Sequence, residues 1–333
     1  MGKVLTPLSW LYGAAVARRN RRFDRGVGIE HLDVPVISIG NISVGGTGKT
    51  PVCRVVVDSL RHAGRTPAIA LRGYAANANG ESDEALEYAM LLKDVPLAVG
   101  ADRVAALADL RVKASYDCVV LDDGFQHRQI ARNLDVVLID ATRPRLDDRL
   151  LPAGRLREPA AALARADVVL VTRATEVDAS LVKQIESCGS TAPLAWLTHT
   201  WSDTLAVHWG NQPSETRSTA SLRGSAIATS LGVGNPESVL NTLRSYGATV
   251  VWDAQARDHQ PYDAASVRRL CERAREQDAD GLLLTPKDWV KVRAFKTSLD
   301  ERLPVWVPSL ELGFLAGEAA FKERLVGAVT LPA

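Results

Sequence analysis

Gly45, Gly46, Gly48, Lys49 and Thr50 stand close together in the run Val36 to Pro51, VISIGNISVGGTGKTP. These residue types at this spacing bind polyphosphate. Glycines let backbone N–H groups curl around the phosphates, and Thr47 lies inside the same turn. A helix that follows presents its positive end, Lys49 neutralises β and γ oxygens, and the Thr50 hydroxyl can ligate Mg²⁺. The eight-residue consensus has a glycine five places before Gly48; Ser43 stands there, so the match is the shorter GGTGKT. The bland alternative is a glycine-rich loop capping an ordinary helix. A phosphate loop also needs a strand-end carboxylate for its metal, and CVVLDD supplies an apolar strand ending in Asp122 and Asp123. Two adjacent acids could form a solvated turn, but with the phosphate loop upstream one of them is expected in the Mg²⁺ shell.

A kinase needs in addition a group that orients or deprotonates the attacking hydroxyl. Asp83, where a polar loop runs into a helix, is the candidate; Ser82 or Asp83 can equally serve there as a helix N-cap. Other polar groups collect at the ends of expected strands: Arg72 and Tyr74 after the second, and Gln126 and His127 after Gly124-Phe125. Two stretches are unusual for mere connections. Leu151 to Pro159 forms a rigid, charged loop, and His259 stands beside Asp258 in RDHQPY, where a surface loop residue is the bland reading.

The elements that must position these residues follow from hydrophobic pattern. The alternation of apolar runs with helical stretches (strands near 36–39, 67–71, 97–99, 118–122, 136–139, 168–172 and 195–197) predicts an α/β fold with a mostly parallel sheet covered by helices on both faces. Residues 201–221 are polar and read as a linker or an irregular crossing. Beyond them strands at 226–229, 249–252, 281–285 and 305–307, with helices at 236–246 and 264–276, predict a second, smaller α/β domain. The expected division is an N-terminal helix over 1–30, a P-loop domain of the NTPase type over 31–200, and linker plus C-terminal domain over 201–333. At 333 residues the chain is long enough for two cores.

A formal net charge of +1 gives no global basic field, so nucleic acid is not the expected partner. The four cysteines lie singly beside apolar runs and read as buried hydrophobes in a reducing compartment. Apolar and aromatic residues from Val4 to Val16, with Trp10 and Tyr12, precede Arg18, Arg19, Arg21, Arg22 and Arg25. The stretch falls short of the ~20 apolar residues of a spanning helix. Its composition suits an amphipathic helix on an anionic membrane surface, or else a helix packed on the domain with its arginines solvated.

Taken together, the segments PLSWLYG, GNISVGGTGKTP, LRGY, SDEA, DDGFQHR, LLPAGRLREP, GVGNP, RDHQPY and TPKDWVK resemble the tetraacyldisaccharide 4′-kinase (lipid A 4′-kinase) family over nearly the whole length. DDGFQHR with PAGxLREP is the most specific part. The resemblance implies transfer of the ATP γ-phosphate to the 4′-hydroxyl of a tetraacylated glucosamine disaccharide 1-phosphate, at the cytoplasmic face of the inner membrane. It implies ATP and Mg²⁺ as cofactors, a lipid substrate and a membrane surface as partners, and no nucleic acid; a monomer is expected. It also implies Asp83 as catalytic base assisted by His259. Gly45, Gly46, Thr47, Gly48, Lys49, Thr50, Arg72, Tyr74, Asp123, Gln126 and His127 would bind the nucleotide, with Thr50 and Asp122 on the metal. The chain departs from the family pattern at Leu71, Arg155 and near Gln260. A switch ATPase of the partitioning type would carry a lysine before the paired glycines, where this chain has Val44. Another small-molecule kinase of the same loop class would leave the N-terminal segment unexplained.

Overall fold

A computed structural model describes residues 2–73, 82–257 and 260–330. Along the chain run α1 (Gly2–Asp24), β1 (Val36–Asn41), α2 (Lys49–His62), β2 (Pro67–Leu71), α3 (Asp83–Leu91), β3 (Leu97–Val99), α4 (Arg103–Lys113), β4 (Cys118–Asp122) and β5 (Leu134–Asp140). These are followed by β6 (Val168–Thr172), α5 (Ala179–Ser187), β7 (Leu194–His208), β8 (Glu215–Ser218), β9 (Ala226–Ser230), α6 (Pro236–Ser245) and β10 (Thr249–Asp253). The last elements are α7 (Ala264–Glu276), β11 (Gly281–Leu284), α8 (Pro286–Val292), β12 (Val305–Ala316) and α9 (Glu318–Val329). The chain divides into two compact units, one of residues 1–72, 94–199 and 312–333, the other of 73–93 and 200–311.

In the first unit the strands lie in the order β7-β6-β5-β1-β4-β2-β3 and pair in parallel. Every residue of β1, β2, β4, β5 and β6 is buried. That is why these strands read as continuous apolar runs rather than alternating ones: both faces are covered. Leu107 of α4 packs with Val36, Ala68, Ala70, Val119 and Leu121, which alternate along their strands onto one face. Leu181 and Ile185 of α5 join Val137, Ile139, Val169, Val171 and Trp196. α2 and α9 pack on one another and on β1.

In the second unit β10, β9, β11 and β12 are successive parallel neighbours. Val267, Leu270, Cys271 and Ala274 of α7 pack with Leu282, Leu284 and Val305, and Leu240 and Leu243 of α6 with Ile227, Leu283 and Trp306.

The observed units depart from the contiguous division expected from sequence. Helix α1 belongs to the first unit. α3 joins the second, because it packs along α8. The chain then returns to the first unit through α9, whose Phe321, Leu325 and Val329 recur every four residues on one buried face. The stretch 201–221 is no linker: β7 continues through it to His208 and pairs antiparallel with β8, Thr204 opposite Ser218 and Val207 opposite Glu215. A hairpin with one wet face carries polar residues on that face, which is what made it look unstructured.

Candidate active site

Between β1 and α2 the chain forms the phosphate loop. Gly48 caps α2 with φ 85 and ψ 29, the left-handed region, and a Cβ there would lie 2.8 Å from the Cε1 of His199, so only glycine fits. Asn41 organises the entry: its Nδ2 donates to the Ser43 carbonyl at 2.8 Å, and its Oδ1 accepts from Lys49 Nζ at 3.4 Å. Ser43 forms an antiparallel bridge with Leu156. Around that bridge Val44 N–H donates to the Arg155 carbonyl and Arg157 N–H to the Ile42 carbonyl, each at 2.8 Å. The charged loop of the sequence therefore lies beside the phosphate loop, joined to it by an isolated β-bridge.

That loop delivers Arg157 to the acidic pair. Asp123 has φ 51, an uncommon conformation for a residue with a side chain, and Gly124 follows where a Cβ would meet Leu121 Cβ and Ser38 Oγ at 2.8 Å. The Asp123 carboxylate lies 3.3 Å from Lys49 Nζ and accepts from Arg157 Nη1 at 2.6 Å. Burial pushes its pKa up, but Lys49 and Arg157 outweigh burial and hold the carboxyl below its ordinary range. Asp122 is 5% exposed, and the Cys53 thiol, on the first turns of α2, donates to its Oδ1 at 3.8 Å. Gln126 Nε2 donates to the Asn41 carbonyl at 3.0 Å, and its Oε1 lies 3.5 Å from Arg157 Nη1. His127 Nδ1 sits 3.3 Å from Arg103 Nη1.

The oxygen donors here fit Mg²⁺. Among the described residues no three His, Cys, Asp or Glu side chains gather as a metal cage. Mg²⁺ does not ask for one; it takes one or two protein oxygens and fills its octahedron with water and phosphate. Thr50 on the first turn of α2 and the buried carboxylate of Asp122 offer hard oxygens of that kind.

In the second unit Ser82 is the cap of α3, its Oγ accepting from Ala85 N–H at 3.1 Å. Capping thus does not account for Asp83, the first helical residue, which is 7% exposed. Three sequence motifs of this unit meet at Asp288, which is fully buried. Its carboxylate accepts from Gly232 N–H at 3.1 Å and Thr285 Oγ1 at 2.7 Å, and lies 3.3 Å from Lys291 Nζ. Lys291 Nζ in turn donates to the Gln260 carbonyl at 3.2 Å. Tyr74 and His259 lie outside the described residues.

Two of the departures from the family pattern, Arg155 and Gln260, are positions where a backbone carbonyl makes the contact just described, with Val44 and Lys291 respectively. A changed side chain there leaves that contact in place.

Sequence reasoning assigned no role to Arg157, Thr172, Arg173 or His199, although each touches the loop or its acids. The charged LREP stretch was a signal for the first. The others are single residues, Thr172 and Arg173 at the end of β6 and His199 within β7, with no motif spacing.

Burial first, then neighbouring arginines, push the pKa of His127 down to about 4 and that of His199 down to about 3. In the unfolded chain both titrate near ~6.5. Between these values the unfolded state binds more protons, so stability rises with pH there. The contribution is complete above about pH 6.5 and is lost as pH falls to about 4 for His127 and about 3 for His199. Thermal unfolding should therefore show Tm declining from about pH 7 to about pH 4.5, and less steeply in His127→Asn; a flat profile across that window would contradict the assignment.

Comparison with known proteins gives a consistent result. The family model for tetraacyldisaccharide-1-P 4′-kinase matches residues 1–330. A tetraacyldisaccharide 4′-kinase of Geobacter sulfurreducens is 34% identical, over 94% of this chain and 89% of its own. One of Bdellovibrio bacteriovorus is 30% identical over 99% of both chains. Among solved structures, the "apo" form of LpxK from Aquifex aeolicus in complex with ATP superposes with a TM-score of 0.73 at 26% identity, covering 98% of this chain and 99% of that one.

Proposed function

The chain belongs to the tetraacyldisaccharide-1-P 4′-kinase family, and we propose how its own residues divide the labour of that family's reaction. It is a phosphotransferase of lipid A biosynthesis that transfers the γ-phosphate of ATP to the 4′-hydroxyl of tetraacyldisaccharide 1-phosphate. The observation that carries the division of labour is the cluster of Lys49, Asp123 and Arg157 at the phosphate loop.

The reaction forms a bond between the 4′-oxygen and the γ-phosphorus and breaks the bond from that phosphorus to the β–γ bridging oxygen, which leaves with the electron pair as ADP. The loop from Gly45 to Thr50 cradles the β- and γ-phosphates with backbone N–H groups, and Lys49 follows the charge as it moves to the bridging oxygen. Asp123 holds Lys49 and Arg157 as a pair of cations facing the loop. Thr50 and Asp122 would hold Mg²⁺, which when bound would neutralise charge on the phosphate oxygens. Asp83 accepts the 4′-hydroxyl proton, with His259 orienting it. Arg72, Tyr74, Gln126 and His127 complete the nucleotide surroundings. The enzyme works as a monomer.

Helix α1 provides the membrane contact at the cytoplasmic face of the inner membrane. One side is docked: Ser9 Oγ donates to the Leu150 carbonyl at 2.8 Å, Tyr12 Oη to that of Arg157 at 2.9 Å, and Arg19 pairs with the fully buried Glu158 at 3.2 Å. The other side is bare, with Leu8 at 52%, Trp10 at 74% and Leu11 at 70% exposure, and exposed Arg18, Arg21 and Arg22 follow. Among the described residues no helix is long and apolar enough to cross a membrane. Arginines near anionic headgroups and an inserted Trp-Leu pair suit a helix lying in the interface.

Trp10→Glu/Leu11→Glu leaves the docked side intact and should lower co-sedimentation with anionic phospholipid vesicles by about tenfold or more, given ~1.5–3 kcal/mol per buried large apolar side chain. The KM for vesicle-presented acceptor should rise while that for ATP stays put. Unchanged vesicle binding would end the membrane reading of α1. For the nucleotide site, turnover should require Mg²⁺ and be lost with excess chelator; chelator-resistant turnover would remove Thr50 and Asp122 from the metal role.

A further inference from the structure

Two carbonyls of the phosphate loop are held by side chains from one place, the end of β6. Thr172 Oγ1 donates to the Thr47 carbonyl at 2.9 Å, and Arg173 Nη1 donates to the Gly46 carbonyl at 2.8 Å. Arg173 is anchored by an ion pair with Asp140 at the end of β5, and its backbone takes φ 54, which costs free energy in a residue with a side chain. His199, on β7, closes the same side: its imidazole lies against Gly48, and its Nε2, like Thr47 Oγ1, is buried without a hydrogen-bond partner.

A peptide plane has its carbonyl at one end and the next residue's N–H at the other, so fixing one fixes the other. Holding the Thr47 carbonyl sets the direction of the Gly48 N–H. Holding the Gly46 carbonyl sets that of the Thr47 N–H, which closes a tight turn on the Gly45 carbonyl at 3.1 Å. Without these donors a run containing Gly45, Gly46 and Gly48 has wide conformational freedom, and a ligand must supply the ordering entropy at the moment of binding.

We propose that Thr172, Arg173 and His199 brace the phosphate loop from behind, as positioning residues that preset its backbone for the β- and γ-phosphates of the nucleotide. The proposal rests on the reading of this loop as the ATP site. The brace acts on a surface that binds nucleotide before and during the reaction alike. Its loss therefore weakens ground state and transition state together, which raises KM for ATP more than it lowers kcat.

The test uses the full chain with Thr172→Val, which keeps the shape and removes one hydroxyl, Arg173→Met, which keeps the stem and removes the guanidinium, and Arg173→Lys. Arg173→Met should raise KM for ATP and Kd for ADP by about tenfold, as expected for a lost charge-assisted hydrogen bond. Thr172→Val should raise both by about threefold to tenfold. The KM for the lipid acceptor should not move, and Arg173→Lys should recover part of the loss. Unchanged ATP and ADP affinity, with only Tm lowered or only kcat reduced, would overturn the brace. If Arg173→Met fails to fold, Thr172→Val alone decides, by the same readouts. Lys49→Ala is assayed beside them: if it too leaves turnover and nucleotide affinity unchanged, the loop is not the ATP site, whereas an inactive Lys49→Ala with unaltered brace variants contradicts the brace alone.

Discussion

Lys49→Ala should lose turnover to the limit of detection, a drop of at least about 10³-fold, while the protein stays folded. Lys49 is the first residue of α2, and its ammonium lies 3.3 Å from Asp123 Oδ1 and 3.4 Å from Asn41 Oδ1. During transfer, negative charge builds on the β–γ bridging oxygen, and a preset cation in that place does not have to be recruited from solvent. The fold does not depend on it, because Asp123 keeps Arg157 at 2.6 Å as a second cationic partner. Turnover and circular dichroism measured on the same preparation check this. Activity within a few-fold of wild type would mean that the loop does not hold the reacting phosphates.

Asp83→Asn should lower kcat by roughly 10²-fold or more with near-normal ATP binding. A sugar hydroxyl is far too weak an acid to ionise unaided near neutrality, so transfer gains from a carboxylate that takes the proton as the bond to phosphorus forms. Asparagine keeps the shape and removes the basicity. The Ser82 cap remains, so α3 should still begin where it does. His259→Ala should lose less. If the histidine acts through Asp83, the double variant should be much less impaired than the product of the two single losses, because groups acting as a unit are not additive. Strictly multiplicative losses would separate the pair. A nearly active Asp83→Asn would hand the base role to Asp122 or Asp123.

Much of the architecture could be read directly because burial leaves a mark on composition. The runs CVVL and VVLI are apolar without alternation, as suits strands covered on both faces, and the strands that contain them are buried throughout. GGTGKT was equally legible, since the chemistry of phosphate binding needs those residue types in sequence order. The polar hairpin of β7 and β8 was not, because one wet face dilutes the apolar signal. Neither were α8 and α9 expected, although Thr285 before Pro286 is a helix start and Phe321, Leu325 and Val329 a helical repeat. The site's second layer was beyond reach for a different reason. Arg157 meets Asp123 across 34 residues and Thr172 meets Thr47 across 125, contacts that exist only once the chain has folded. Nor does any local pattern announce that α3 leaves the first unit; that follows from its packing on α8.

The transfer itself is tested most directly by incubating the purified full chain with ATP, Mg²⁺ and tetraacyldisaccharide 1-phosphate in mild detergent and locating the new phosphate by tandem mass spectrometry. The result expected is a lipid product heavier by one HPO₃ group, with that group on the 4′-position, formed in step with ADP and absent with Lys49→Ala. ADP formation with unmodified lipid, or a phosphate at any other position, would contradict it.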